Sequence, residues 1–128
     1  MKKENFLARL RPSANEDPNE YFILTRGERI EVEGLTGLAL VRASIPEDTL
    51  VFKGEWSIID IDSGLFVIKD NSKKKLLEKW LYRLNNPDYD LVNRILKARL
   101  TDSYKKHKRL KEDEADIWRR SGYLIEGR

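Results

Sequence analysis

Apolar and polar residues alternate in the middle of the chain with a period typical of β-strands. Residues 28–33 (ERIEVE) alternate between polar and apolar from Arg29 onward, while residues 21–25 (YFILT) and 38–41 (LALV) are short apolar runs that lie close to glycines. Successive side chains of a strand point to opposite faces, so the alternation predicts one solvated face and the two runs predict more buried strands. Residues 21–69 therefore predict a small, mostly antiparallel sheet, with the first run ending at Arg26-Gly27.

The clearest local pattern is a β-hairpin followed by a helix. Two apolar stretches, residues 56–61 and 65–69, are joined by Asp62-Ser63-Gly64. A glycine at the end of such a loop supplies the positive φ that closes a hairpin. Ser72 is a suitable N-cap for the helix that follows. The apolar residues of that helix recur at helical spacing and predict its buried side: Leu76, Leu77, Trp80, Leu81 and Leu84.

Two further helices are predicted after this unit. Asn86 is a suitable N-cap, and Pro87 is tolerated at the first helical position. The predicted buried side of this second helix consists of Leu91, Val92, Ile95 and Leu96. Because almost no loop separates it from the first helix, we expect an antiparallel pair. Residues 101–103 either begin a third helix or are read through. Residues 104–118 lack a continuous apolar stripe and form either an exposed helix or one that a partner orders.

The first 20 residues combine a short amphipathic piece with a loop. Phe6, Leu7 and Leu10 have the spacing of one helical face, which predicts one or two helical turns docked on the core. The Pro, Asn and Ser residues that follow predict a surface loop.

One domain is expected for the whole chain, residues 1–128. Its 40% hydrophobic and 37% charged residues are typical of a soluble protein. The predicted class is α+β, in which the sheet of residues 21–69 is packed by a C-terminal helical half, residues 72–120, and residues 121–128 form a tail.

The cysteine and histidine content excludes several kinds of site. The absence of cysteine excludes disulfides, thiolate metal sites and a Cys nucleophile, and a single histidine excludes a multi-His metal site. We expect no cofactor. No apolar run approaches the roughly 18 residues of a membrane helix, and no apolar signal segment follows the basic start. The chain is therefore expected to be cytoplasmic, without a membrane partner.

Charge is divided unevenly between the two halves of the chain. Residues 1–70 contain 9 Lys/Arg and 13 Asp/Glu, whereas residues 71–128 contain 16 and 9. Helices can array several cations along a phosphate backbone, so nucleic acid or a nucleoprotein is the predicted partner. The predicted contact residues are Lys73, Lys74, Lys75, Lys79, Arg94, Lys97, Arg99, Lys105, Lys106, Lys108, Arg109 and Lys111. Backbone contact is indicated more than base-specific readout, although Tyr82, Tyr89 and Tyr104 are candidates for stacking.

Two alternatives compete with this interpretation. The lysines could simply solvate helical faces, and the acidic cluster at residues 112–116 could pair with the basic run that precedes it. Trp118, with Arg119 and Arg120, could anchor a protein partner, since Trp and Arg contribute strongly to interfaces. Trp118 could equally fold into the core.

Catalysis is the least favoured class. Asp60 and Asp62 lie two residues apart and share one face of a strand, as the carboxylates of a metal-dependent nuclease would. The next strand has Val67 where a further acidic ligand would be expected. We therefore interpret Asp60 as a surface polar residue and Asp62 as the start of the turn. His107, within a run of cations, lacks an orienting partner for a catalytic base.

Residues 56–84 resemble a unit found in small accessory proteins of phages, plasmids and conjugative elements. The matching residues are Trp56, Ile58, Ile61, Ser63, Gly64, Leu65, Val67 and the helix start Ser72-Lys73-Lys74-Lys75. The resemblance implies an accessory protein of a mobile element and carries over no functional residue. Some such proteins inhibit host defence nucleases. It therefore implies, as an alternative function, an anti-defence (anti-CRISPR-like) protein that acts by protein–protein contact.

Overall fold

Five antiparallel strands in sequential order form a sheet, and helices follow them in the chain. The computed structural model describes residues 3–10, 21–43 and 55–107. The elements are β1 (Glu4–Leu10), β2 (Tyr21–Val32), β3 (Leu35–Ala43), β4 (Trp56–Asp60), β5 (Phe66–Asp70), α1 (Lys73–Asn85), α2 (Leu91–Arg99) and α3 (Asp102–His107). The predicted α+β class is confirmed. No helix of the described ranges is long and apolar enough to cross a membrane.

The amino-terminal segment is a strand, so the predicted helical turns are wrong. β1 pairs with the first half of β2, from Glu4 opposite Gly27 to Leu10 opposite Tyr21. Apolar residues at positions 6, 7 and 8 are all buried, which fits a strand that is covered on both faces as well as it fits a helix. Pairing with β2, which is distant in sequence, selects the strand over the helix. The sheet therefore begins at residue 4 and not at the predicted residue 21.

β2 is one continuous strand, although a break was predicted at Arg26-Gly27. A Cβ atom on Gly27 would lie 1.9 Å from the backbone oxygen of Leu40 on the neighbouring strand. The glycine therefore permits a close approach between strands and does not mark a turn.

The sheet curls so that its first strand meets the turn between its last two. The backbone N–H of Arg9 donates to the Gly64 oxygen at 2.8 Å, and Arg9 Nε donates to the Ser63 oxygen at 2.6 Å. Small side chains such as Ala8 and Ala39 occupy the enclosed side. The buried cluster on that side consists of Phe6, Ala8, Ala39, Val41, Ile59 and Ile61.

Helices α1 and α2 pack on the opposite face. Their buried side chains, Leu76, Trp80, Leu91 and Ile95, join Leu38, Ile58 and Ile68 of the sheet in a second cluster. Trp80 is in the core, as predicted. Leu81 is 53% exposed, contrary to the predicted stripe, because five residues after Leu76 correspond to a rotation of about 140° around the helix. Leu96 is exposed for the same reason relative to Leu91.

The second helix begins at Leu91, four residues after its predicted start at Pro87. Residues 86–90 form a turn in which the Asn86 side chain accepts a hydrogen bond from the Asp88 backbone N–H at 3.0 Å. This local bond competes with helix formation. A third helix does restart after residue 101, where Thr101 Oγ1 accepts the Tyr104 N–H at 3.2 Å and caps α3.

Candidate functional site

Four of the predicted contact residues form an exposed group of cations on the three helices. Lys74 and Lys75 lie in the first turn of α1, Lys97 lies on α2, and Lys105 lies on α3. Within the described part of the chain, none of the four has a carboxylate at ion-pair distance. We call these residues the helical lysines. Their charges are solvated and accessible to an anionic partner.

Two other predicted lysines contact residues at the paired ends of β4 and β5. Lys73 Nζ lies 5.0 Å from the centre of the Trp56 ring. Lys79 Nζ lies 2.6 Å from Asp70 Oδ2, and this bond, with the Ser72 backbone N–H, lowers the pKa of Asp70. Both side chains remain exposed but are less available to an incoming phosphate than the helical lysines.

Arg99 points into the protein and does not join the exposed array. Its Nη2 atom lies 3.0 Å from Asp60 Oδ1 and donates to the Thr36 backbone oxygen at 2.7 Å, while Nε bonds the same carboxylate at 3.1 Å. The guanidinium thus ties the end of α2 to the start of β3 and the end of β4. We assign it to the fold and not to phosphate contact.

Asp60 is buried, with 5% of its surface exposed, so its interpretation as a surface residue is wrong. Its Oδ2 atom accepts the hydroxyl and the backbone N–H of Ser63 at 2.7 and 3.2 Å, and its Oδ1 atom pairs with Arg99. Asp62 is exposed in the turn, as predicted. Asp60 therefore holds the β4–β5 turn closed, and its oxygens are already occupied by protein donors.

A pocket of about 340 Å³ lies between β5, the end of α1 and α2. Phe66, Val67 and Ile68 form one wall, and Leu91 and Ile95 of α2 form another. Asp60 and Arg99 also line it, and each neutralises the other's charge. The pocket is thus largely apolar, and we call the part formed by Asp60, Arg99 and Tyr104 its floor.

Two further arginines line this pocket without a carboxylate partner. The guanidinium carbons of Arg83 and Arg94 lie 5.1 and 4.3 Å from the centre of the Tyr89 ring. Arg94 Nε donates to the backbone oxygen of Tyr89 at 2.5 Å, and no hydrogen bond from its Nη atoms is found within the described ranges. Arg94 and Tyr89 are among the residues predicted from the sequence, whereas Arg83 is not. Arg83 follows Lys75 and Lys79 at intervals of four residues, so the three share one side of α1, and this spacing could have identified it.

Tyr104 contributes an uncharged phenol to the pocket. Burial raises its pKa to about 12, and the negative charges of Asp60 and Asp62 act in the same direction. A hydrogen bond to the Asp60 carboxylate adds to the effect. The hydroxyl therefore stays protonated at neutral pH.

A different cavity of similar size lies between α1 and β2. It is lined by apolar residues together with Glu31 and Glu33. In the described ranges no group of three or more His, Cys, Asp or Glu residues could hold a metal ion.

Several predicted residues lie outside the part of the chain that the structure describes. They are the side chains of Lys106 and His107 and the residues Lys108, Arg109, Lys111, Trp118, Arg119 and Arg120.

The chain matches no family model, no curated protein and no solved structure.

Proposed function

We propose that this protein is a non-enzymatic nucleic-acid-binding protein whose helical half contacts the phosphate backbone. The observation that carries the proposal is the exposure of the helical lysines, which lack carboxylate partners among the described residues. Glu78 lies one turn after Lys74 and Lys75, and Asp102 lies one turn before Lys105, yet neither carboxylate is within ion-pair distance of these lysines in the described residues. Over residues 73–107 the chain has 10 Lys/Arg and only 4 Asp/Glu.

The placement of these cations suits an extended polyanion. α1 has 13 residues and is therefore about 20 Å long, a length over which a nucleic acid strand presents several phosphates. Lys74 and Lys75 lie at its beginning, whereas Arg83 lies near its end. Binding by such an array releases counterions, so it depends strongly on salt and weakly on sequence.

Fluorescence anisotropy with labelled duplex DNA, duplex RNA and single strands tests the proposal at about 50 and about 200 mM salt. The variant K74E/K75E is expected to weaken binding at least tenfold and to reduce the slope of log K against log salt by about 2. K3E/R26E carries the same change in charge on exposed residues of the sheet side and is the matched control. If both variants weaken binding equally, only the net charge of the protein matters and the helical lysines are not the contact site. If no nucleic acid binds at the lower salt, the proposal is rejected.

A second candidate function is that of a protein-binding inhibitor or adaptor. Large apolar side chains are exposed on α1 and α2 and directly after α2: Tyr82 and Leu100 are each 71% exposed, and Leu81 and Leu96 are exposed to a lesser extent. Exposed apolar groups of this kind favour protein contact. The proposed mobile-element origin and anti-defence role belong with this candidate. If no nucleic acid binds, a pull-down with wild type and L81S/L100S becomes the next test.

A further inference from the structure

We propose that the pocket between β5, α1 and α2 binds a single unstacked nucleotide, with its base inside and its phosphate at Arg83 and Arg94. The inference rests on the proposed function and specifies it, because it makes single strands or strand ends the preferred form. It is carried by the chemistry of the pocket, which is apolar along its walls, neutral in net charge at its floor and cationic beside Tyr89.

The two arginines define where an anion would be held. Both guanidinium groups lie over the same tyrosine ring, and neither has a carboxylate within ion-pair distance in the described ranges. A phosphate that contacts them would supply the missing negative charge and accept charge-assisted hydrogen bonds in a forked geometry. The hydrogen bond from Nε to the backbone oxygen of Tyr89 holds Arg94 in place and leaves its Nη atoms to donate to a ligand.

The floor of the pocket favours an uncharged ring over a second anion. Asp60 and Arg99 neutralise each other there, and Tyr104 keeps its proton at neutral pH. The walls present Val67 and Ile95 as apolar surface, and the guanidinium groups of Arg83 and Arg94 also line the pocket. Unstacked bases are commonly stacked on arginine planes as well as on aromatic side chains.

The size of the pocket limits the ligand to one nucleotide. Pockets that enclose small molecules have volumes of roughly 300–1,000 Å³. At about 340 Å³ this pocket lies at the lower end of that range. A base in a continuous duplex cannot enter without leaving its stack, which costs free energy that a single strand does not require. We therefore expect single strands to bind more tightly than duplexes of equal length.

Isothermal titration calorimetry on the full chain with 5′-AMP, 5′-UMP, adenosine and ribose 5-phosphate tests the inference. We expect the nucleotides to bind and the two fragments, which lack either phosphate or base, to bind at least about tenfold more weakly. The variant R83Q should reduce nucleotide affinity about tenfold or more. R26Q, the same substitution at an exposed arginine of β2 outside the pocket, should leave it unchanged. Circular dichroism of each variant establishes that the fold is retained.

Parallel anisotropy titrations with a labelled single strand separate the two proposals. If the strand binds but no nucleotide binds at concentrations up to about 5 mM, the pocket inference is wrong and the helical lysines remain sufficient. Ribose 5-phosphate binding as tightly as 5′-AMP would also overturn the inference, since the base would then contribute nothing. Nucleotide binding that R83Q abolishes and R26Q retains supports the pocket. Should the strand fail to bind in that case, the proposed function fails separately.

Discussion

Two arginines of the helical half, Arg83 and Arg99, meet opposite surroundings in the same pocket. Arg99 is bonded to the Asp60 carboxylate and to a backbone oxygen, and only 22% of its side chain is exposed. Arg83 contacts the ring of Tyr89 and has no carboxylate within ion-pair distance in the described ranges. The charge of Arg99 is therefore paired within the protein, whereas the charge of Arg83 is left for an external anion to pair with.

The difference separates a charge that is paired within the fold from the charges that we propose serve binding. Removing a cation from water costs free energy unless a partner replaces the lost hydration, so a largely buried arginine bonded to a carboxylate and a backbone oxygen indicates a structural role. Cations gathered around an aromatic ring without an anion are repelled by one another and gain nothing from the arrangement alone except a cation–π contact. Such a cluster is the feature that a negatively charged ligand would stabilise.

The largest effect is expected from removing the partner of Arg99. Asp60→Asn leaves the Arg99 guanidinium half-buried without its counter-charge and weakens the closure of the β4–β5 turn. Breaking a buried pair from one side costs several kcal/mol, and we expect a loss of about 3 kcal/mol in the free energy of unfolding. Urea denaturation followed by circular dichroism measures it.

Asp88→Asn is the matched control, because it makes the same substitution at an exposed carboxylate of the turn before α2. We expect its stability to stay within about 0.5 kcal/mol of wild type. If Asp60→Asn changed the free energy of unfolding as little as this control, the Asp60–Arg99 pair would not hold the turn. Arg99 would then have no stabilising role to set against Arg83.

A smaller effect, visible only at alkaline pH, is expected from Tyr104. The unfolded chain releases the phenol proton near pH 10.0, whereas the folded chain holds it until about pH 12. Between these values the folded state binds more protons, so this group makes the stability fall as pH rises through the window and has no effect below it. Tyr104→Phe should therefore show a shallower alkaline loss of stability than wild type.

Denaturation midpoints of both proteins, measured in steps from neutral to strongly alkaline pH, provide the comparison. Other tyrosines and lysines titrate in the same range, and the difference between the two curves cancels their contributions. Parallel curves would show that Tyr104 ionises normally, and the floor of the pocket would then become negatively charged at high pH in the folded protein.

Local signals explain why the hairpin and the first helix were predictable. The Asp62-Ser63-Gly64 turn, the Ser72 cap and the apolar spacing that buries Leu76 and Trp80 all act within a few residues of one another. β1 was missed because its conformation depends on a strand about 20 residues away, where the hydroxyl of Thr25 bonds the Phe6 oxygen. No spacing rule within residues 4–10 distinguishes that outcome from a helix.

The candidate site was only half predictable for a similar reason. The excess of lysine on the helices is a property of composition and needs no tertiary information. Arg99 was grouped with these residues because nothing in the sequence indicates that Asp60, 39 residues earlier, lies beside it. The pocket requires β5, α1 and α2 together, so neither its existence nor the position of Arg83 at its side follows from any single element.

The smallest change in stability is expected for Arg83→Gln, which makes it the most direct comparison with Arg99→Gln. Arg83→Gln removes a cation–π contact worth about 0.5 kcal/mol at an accessible site and breaks no ion pair with a described carboxylate. We expect the free energy of unfolding to stay within about 0.5 kcal/mol of wild type, whereas Arg99→Gln should lose about 3 kcal/mol. Urea denaturation of the two variants measures this difference, and both carry the same Arg-to-Gln substitution. A loss at Arg83 comparable to that at Arg99 would mean that both arginines stabilise the fold, and the absence of a carboxylate beside Arg83 would then no longer point to a ligand.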